Sequence, residues 1–175
     1  MKTILLIACL PLTLLLFSGC RKTESGLGQF VGTWEASYSL YDPTGVRISS
    51  GSITIKQPSS DVISFGESTS MVTGVGQFGV PNMQTKSYEV TLKQPSSGQY
   101  QLSLTVDSTK LLENFPLTHS SEGLSGRQTV TLDDKQRVVV ASIKPKGEGH
   151  VWKITADAGD GPKRDYEFEL KKKTG

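Results

Sequence analysis

Polar and apolar side chains alternate with a period of two through most of the chain after residue 29, and this alternation limits the available folds. Residues 99–106 read QYQLSLTV, and residues 164–170 read RDYEFEL. Because successive side chains of a β-strand point to opposite faces, each such segment has one apolar face and one polar face. One buried and one wetted face are typical of antiparallel sheet rather than of parallel sheet buried on both sides.

The same alternation, interrupted by turn residues such as Asp42-Pro43-Thr44-Gly45, predicts about ten strands. We place them at residues 30–41, 46–57, 61–67, 71–78, 86–94, 99–106, 127–133, 136–144, 150–157 and 164–172. Many strands joined by short turns favour an all-β, single antiparallel up-and-down β-barrel, because closure removes exposed strand edges. A two-sheet β-sandwich is the alternative.

Residues 107–126 are the longest stretch that does not alternate. Within it, residues 108–115 are the one stretch of the chain compatible with a helical turn or two, ending before Pro116. Irregular segments of this length are usually functional or disordered. The segment therefore acts either as a lid over the barrel mouth or as a plain cover for the end of the core.

The first twenty residues carry a separate signal. Lys2 precedes an apolar run at residues 4–17, and small residues then lead to Cys20. The run is too short for a transmembrane helix and contains Pro11. The segment resembles the lipobox of bacterial lipoproteins, in which the peptide is cut before the cysteine and the thiol receives a diacylglycerol.

That resemblance implies a division of the chain and a location for it. Residues 1–19 would be a signal peptide, residues 20–28 the lipidated Cys20 with a flexible tether, and residues 29–175 the barrel domain. The protein would then lie in the cell envelope, attached to a membrane by lipid. Arg21, in place of the aspartate that retains lipoproteins in an inner membrane, favours the outer membrane and its periplasmic face.

The composition argues against nucleic acid as a partner and against a disulfide within the domain. The formal net charge of +2 gives no basic excess of the kind that nucleic acid binding requires. Both cysteines are accounted for, since Cys9 leaves with the signal peptide and Cys20 is acylated. The domain therefore depends on its hydrophobic core, without a disulfide.

Catalytic and metal-binding motifs do not emerge from the sequence. Residues 74–79 match G-x-G-x-x-G, but Val80-Pro81-Asn82 follows them where a phosphate-binding loop needs a helix. No serine has the spacing of a nucleophile elbow, and no His or Cys pair has zinc spacing. We therefore predict no enzymatic activity, no catalytic residues, no metal and no cofactor.

Two short motifs at the ends of the domain resemble calycin barrels, the group that includes lipocalins and fatty-acid-binding proteins. Phe30-Val31-Gly32-Thr33-Trp34 is similar to the G-x-W entry of their first strand, and Arg164-Asp165-Tyr166 is similar to the R-x-Y of fatty-acid-binding proteins. The resemblance implies a lipocalin-like barrel in which Trp34 closes one end. It also implies that Arg164 and Tyr166 meet a ligand carboxylate, a group that suits an arginine fork.

Two functions follow from this fold. In the first, the barrel binds a small apolar or amphipathic ligand that enters near residues 108–118 and is held by Arg164, Tyr166, Trp34, Tyr38, Tyr100, Trp152 and Phe168. In the second, the barrel is filled by its own side chains and acts as a structural or interaction module for an envelope protein. A barrel of this size can be filled or can hold one small ligand.

Overall fold

The computed structural model describes residues 26–42, 45–75, 77–79, 81–132, 134–157 and 163–173, and within these ranges the chain is almost entirely β-strand. The ten strands are β1 Gly32–Asp42, β2 Gly45–Ser59, β3 Val62–Val75, β4 Pro81–Ser96, β5 Gln99–Val106, β6 Thr109–Ser120, β7 Gly123–Leu132, β8 Lys135–Lys146, β9 Gly149–Asp157 and β10 Arg164–Lys172. Two short 3-10 helices accompany them, η1 at Leu27–Phe30 and η2 at Gln77–Gly79. None of the described helices is long and apolar enough to cross a membrane.

The strands form a closed, antiparallel up-and-down β-barrel in which each strand pairs with its neighbours in sequence. Closure comes from β1 and β10, which pair from Trp34 with Lys172 to Tyr41 with Asp165. The predicted all-β barrel is confirmed, and the open two-sheet sandwich is not the arrangement found. We call the end that carries η1 the base and the opposite end the distal end.

Two seams of the barrel are paired only near the base. Within the described parts of β2 and β3, the paired positions are Lys56 with Ser64 and Ser59 with Val62. Between β6 and β7, residues 118–120 pair with residues 123–125. These two seams divide the wall into a four-stranded sheet, β3 to β6, and a six-stranded sheet made of β7 to β10 with β1 and β2.

Two of the predicted strand assignments are wrong, although the total of ten strands is correct. The segments predicted at 61–67 and 71–78 are one continuous strand, β3. The segment 107–126, predicted to be irregular and compatible with a helical turn at 108–115, instead forms β6 and the beginning of β7. It is a part of the barrel wall, neither a lid nor a cover.

The irregular backbone of β6 explains why its sequence does not alternate. Leu111 and Leu112 are adjacent and both buried, which a regular strand does not allow. Asn114 has a positive φ of 51°, and the register with β5 shifts on both sides of Leu104. A bulged strand bends and changes which side chains face inward, so the period of two is lost locally.

The helix η1 closes the base of the barrel. Its residues Leu27 and Phe30 are buried, and the carbonyl oxygen of Phe30 accepts a hydrogen bond of 2.9 Å from Trp34 Nε1. Trp34 is thus buried at this end of the barrel and bonded to η1, while its calycin-like role stays a prediction. The tether predicted for residues 20–28 overlaps η1, since Leu27 already belongs to the core.

We predict that a methyl group at Gly126 separates β6 from β7. A Cβ there would overlap the carbonyl oxygen of Pro116 and press on the side chains of Phe115 and Leu117. Gly126→Ala should lower the free energy of unfolding by about 1–3 kcal/mol, the usual cost of overpacking, measured by urea denaturation. Gly51→Ala is the matched control, because a Cβ at Gly51 meets no heavy atom within 4 Å. Equal stability of the two variants would contradict the prediction.

Candidate functional site

Five aromatic rings meet at the centre of the barrel and join its two sheets. The four-stranded sheet supplies Phe65 and Tyr88, and the six-stranded sheet supplies Tyr38, Trp152 and Phe168. Ring centroids lie 5.1 Å apart for Phe65 and Trp152, and 5.0 Å apart both for Tyr88 and Phe168 and for Tyr38 and Tyr88. Since the rings belong to separate sheets and are in contact, they span the lumen. We call these five residues the aromatic cluster.

The interior around the aromatic cluster is filled. Phe168 is 0% exposed, and Trp152 and Tyr166 are each 1% exposed. A cavity that admitted even one water molecule would leave accessible area on the side chains lining it. Each of the ten strands contributes buried residues to the same core. Tyr38 is only partly buried, but the other rings of the aromatic cluster and the core around them are packed by side chains of the chain itself.

The structure places the predicted ligand-binding residues at three levels. Trp34 and Tyr100 lie toward the base, where the Tyr100 hydroxyl accepts a hydrogen bond of 3.2 Å from Gln94 Nε2. Tyr38, Trp152 and Phe168 lie together in the aromatic cluster. Arg164 and Tyr166 lie near the start of β10, at the distal end. The seven residues face one interior but do not surround a single site.

Three interior residues were not among the predicted site residues, and two of them complete the aromatic cluster. Phe65 and Tyr88 lie in the predicted strands 61–67 and 86–94, and the alternation already puts Tyr88 on the apolar face of its strand with Val90 and Leu92. Arg137 is more surprising, because it is 3% exposed among otherwise apolar core residues. The signal was present, since Arg137 has the same parity as the buried Val139 and Ala141 on β8.

The distal part of the interior is more polar than the rest. Arg137 begins the inward face of β8, and Arg164 and Tyr166 begin that of β10. Tyr88 has a buried hydroxyl without a hydrogen-bond partner among the described residues. Burial raises the pKa of this phenol well above its usual value, and the nearby charge of Glu67 raises the pKa further. Tyr88 therefore stays neutral across the physiological range.

At the base, His150 packs against the plug formed by η1. Its ring centroid lies 4.9 Å from that of Phe30 and 5.5 Å from that of Trp34. Burial lowers the pKa of His150, because the charged imidazolium loses its hydration there. His119 and His150 both line a shallow pocket of about 220 Å³ beside η1. Packing, not proton transfer, is the chemistry that these contacts support.

Two remaining predictions concern metal binding and the lipid-attachment site. In the part of the chain that the structure describes, no group of three or more His, Cys, Asp or Glu residues could hold a metal ion. The predicted lipid-attachment residue Cys20 and the signal segment 1–19 lie outside the described residues.

Comparison with known proteins adds no functional assignment. No protein-family model matches the chain, and no curated protein matches it at a significant level. The functional argument therefore depends on the residues of this chain alone.

We predict that mild acid loosens the base of the barrel through His150. Because its pKa is lower in the folded than in the unfolded state, the unfolded state binds more protons once the pH approaches 6.5. The free energy of unfolding should therefore fall as the pH decreases through 6.5, measured by urea denaturation at several pH values.

The variant His150→Leu should remove that part of the pH dependence. His119→Leu is the matched control, because it removes an exposed histidine from the same pocket. An unchanged pH profile in His150→Leu would show that the acid sensitivity has another source.

Proposed function

We propose that this chain is a non-catalytic, lipid-anchored protein of the cell envelope whose filled β-barrel serves as an interaction module. The barrel would be a rigid platform held at the membrane through Cys20. Its outer surface and strand edges, instead of a ligand inside it, would carry the function.

The filled interior is the observation that supports this proposal. A protein that stores an apolar molecule needs an enclosed volume of several hundred cubic ångströms. Here the aromatic cluster occupies the middle of the lumen, and the core residues around it have almost no accessible surface. A core packed in this way stabilises a platform but leaves no room for a fatty acid at that level.

The position of η1 relates the platform to the membrane. Residues 21–26 separate Cys20 from η1, and six residues span at most about 20 Å even when fully extended. The base would therefore lie close to the lipid surface, with the distal end directed away from it. Two or three acyl chains on Cys20 would anchor the protein almost permanently, since each buried methylene contributes about 0.8 kcal/mol. The outer membrane facing the periplasm remains the proposed location.

A second candidate is the ligand-binding function predicted from the sequence, restricted to the distal end. Arg137 favours it, because a guanidinium in the core could pair with the anionic head of an amphipathic molecule. Arg164 and Tyr166 lie at the same end, on β10. In this version the ligand's head, without its apolar tail, would enter the barrel.

Ligand binding can be tested directly. The chain without residues 1–20 is purified, extracted with organic solvent and then titrated with a fluorescent fatty acid. The filled interior predicts no co-purified lipid and no saturable uptake. Saturable binding that is weakened about tenfold or more in both Arg137→Met and Arg164→Ala would contradict the filled module and support the second candidate.

The lipid anchor requires a separate test. Cys20→Ala removes the thiol that would be acylated, so the protein should move from the membrane fraction to the soluble fraction. Cys9→Ala is the matched control, since Cys9 lies within the predicted signal peptide and its loss should leave the protein on the membrane. Continued sedimentation of Cys20→Ala with membranes, or absence of fatty acyl groups by mass spectrometry, would contradict the anchoring proposal.

A further inference from the structure

The β2–β3 seam presents two strand edges to each other without pairing them. Pairing of the described residues ends at Lys56 and Ser64, yet β2 extends distally to Gly45 and β3 to Val75. On its other side β2 stays paired with β1 along its whole distal half, and β3 stays paired with β4. Each edge therefore keeps a row of backbone donors and acceptors directed toward the seam.

An outer groove of about 500 Å³ marks this seam. Thr54 and Lys56 of β2 line one side, and Ser64 and Ser68 of β3 line the other, together with Gly66. Apart from Lys56 and Glu67, the polar side chains that the two edge strands contribute are short or absent, so they leave the backbone accessible. The buried residues Phe65 and Tyr88 also line the groove. From the seam the groove continues over β4 and β5, where Ser87, Glu89 and Thr105 line it.

The β6–β7 seam is built differently, although it is also paired only near the base. The groove there, about 420 Å³, is lined by Leu111, Leu112 and Leu132 along with Phe115. All four side chains are buried, so the chain covers this seam with its own apolar residues. Among the described residues the two seams are therefore not equivalent, because the β6–β7 groove has four buried apolar side chains in its lining and the β2–β3 groove has two, Phe65 and Tyr88.

Long stretches of both edges of the β2–β3 seam carry none of the charges that normally protect a strand edge. Residues 48–55 of β2 read ISSGSITI, and residues 68–75 of β3 contain no Asp, Glu, Lys or Arg, while Arg47, Lys56 and Glu67 flank these stretches. The outer face of the six-stranded sheet, by contrast, carries ion pairs such as Lys146 with Glu169 at 2.7 Å and Lys153 with Glu167 at 3.1 Å. Natural proteins place charges, especially lysine, on edges that must not pair with another chain. These two stretches are unprotected.

We propose that the β2–β3 seam takes up an extended strand from another envelope protein, which pairs with β2 on one side and β3 on the other. This inference rests on the proposed function of the barrel as an interaction module and names its binding surface. The eight residues from Ile48 to Ile55 would offer about 26 Å of edge. Main-chain hydrogen bonds would supply affinity, as in other cases of β-strand addition. An incoming segment without charges fits best, since residues 48–55 and 68–75 offer no opposite charge.

Other occupants fit the seam less well. Acyl chains cannot satisfy rows of backbone N–H and C=O groups, so a lipid surface does not suit the two edges. A nucleic acid would need cations, and Lys56 lies in a groove that also contains Glu67 and Glu89. A compact small molecule would occupy only a fraction of an edge that is eight residues long. A strand matches both the length and the hydrogen-bonding groups.

The first experiment measures amide hydrogen exchange in the full chain in detergent. Without a partner, backbone amides directed into the seam from residues 48–55 and 65–75 should exchange rapidly, because no β-ladder protects them. A blocked synthetic peptide that copies residues 68–75 serves as the probe strand. Its addition should slow exchange on both edges by about tenfold or more. Slow exchange on both edges in the free chain, or protection of only one edge, would overturn the proposal.

A control peptide carries Thr69→Pro, Ser70→Pro, Val72→Pro and Thr73→Pro, which remove backbone N–H groups from both sides of the probe strand. It should leave exchange at both edges unchanged. Protection by this peptide equal to that of the original would overturn pairing through the main chain.

Matched lysine variants of the protein test the seam itself. Ser50→Lys with Ser52→Lys places charge on the open edge of β2 and should weaken peptide binding by about tenfold. Ser37→Lys with Ser39→Lys is the control, because these exposed serines lie on β1, which is paired on both sides. It should leave the affinity within about twofold of the original. Equal affinities for the two variants would overturn the proposal, with circular dichroism showing that both are folded.

Failure of the strand-uptake proposal can be distinguished from failure of the proposed function. Uptake of a fatty acid would defeat the filled module while leaving the exchange measurements at the seam unaffected. Dimers of the free chain that are lost in Ser50→Lys with Ser52→Lys, measured by sedimentation, would overturn the assignment of another protein as the strand donor.

Discussion

Contact between the two sheets through aromatic rings is the interaction on which this barrel depends. Backbone pairing cannot hold the wall together along its full height, because the β2–β3 and β6–β7 seams are paired only near the base. Phe65 and Tyr88 instead contact Trp152 and Phe168 across the lumen. Each such pair contributes about 0.5–1.5 kcal/mol beyond the area that it buries. The rings that hold the sheets together also occupy the space where a ligand would be stored. Stability and an empty lumen are therefore incompatible at this level of the barrel.

Much of the fold could be predicted from sequence because polar and apolar residues alternate along each regular strand that has one buried and one exposed face. The strands β5, β8, β9 and β10 follow that rule, and their inward residues Trp152 and Phe168 were identified. Prediction failed where the rule no longer holds. β6 is bulged, and Ser68-Thr69-Ser70 interrupt the apolar alternation within β3, so they looked like a break between two strands. The seams depend on register between distant strands, which no local pattern contains. Parity puts Arg137 on the inward face of β8 with Val139 and Ala141, but it does not show how deeply that face is buried.

The outer surface of the barrel is divided in the same way as its wall. Cross-strand ion pairs cover β8 to β10, and exposed pairs of this kind contribute little to stability. They do keep that surface soluble and unattractive to another strand. The uncharged stretches at the β2–β3 seam have no such protection, and fewer buried apolar side chains line the groove there than at the β6–β7 seam. Selective protection of one seam supports a role for the other in recognition.

The pairing of β1 with β10 also constrains when the chain can fold. Trp34 lies opposite Lys172, so the first strand to be synthesised finds its partner only when the last one is complete. Contacts between such distant positions form slowly, because a long loop must be closed before they can form. If the leader directs export as proposed, the polypeptide would cross the membrane before its barrel could close. Because the barrel closes late, the chain would stay unfolded long enough to be translocated. Its core would not have to be weakly packed for this.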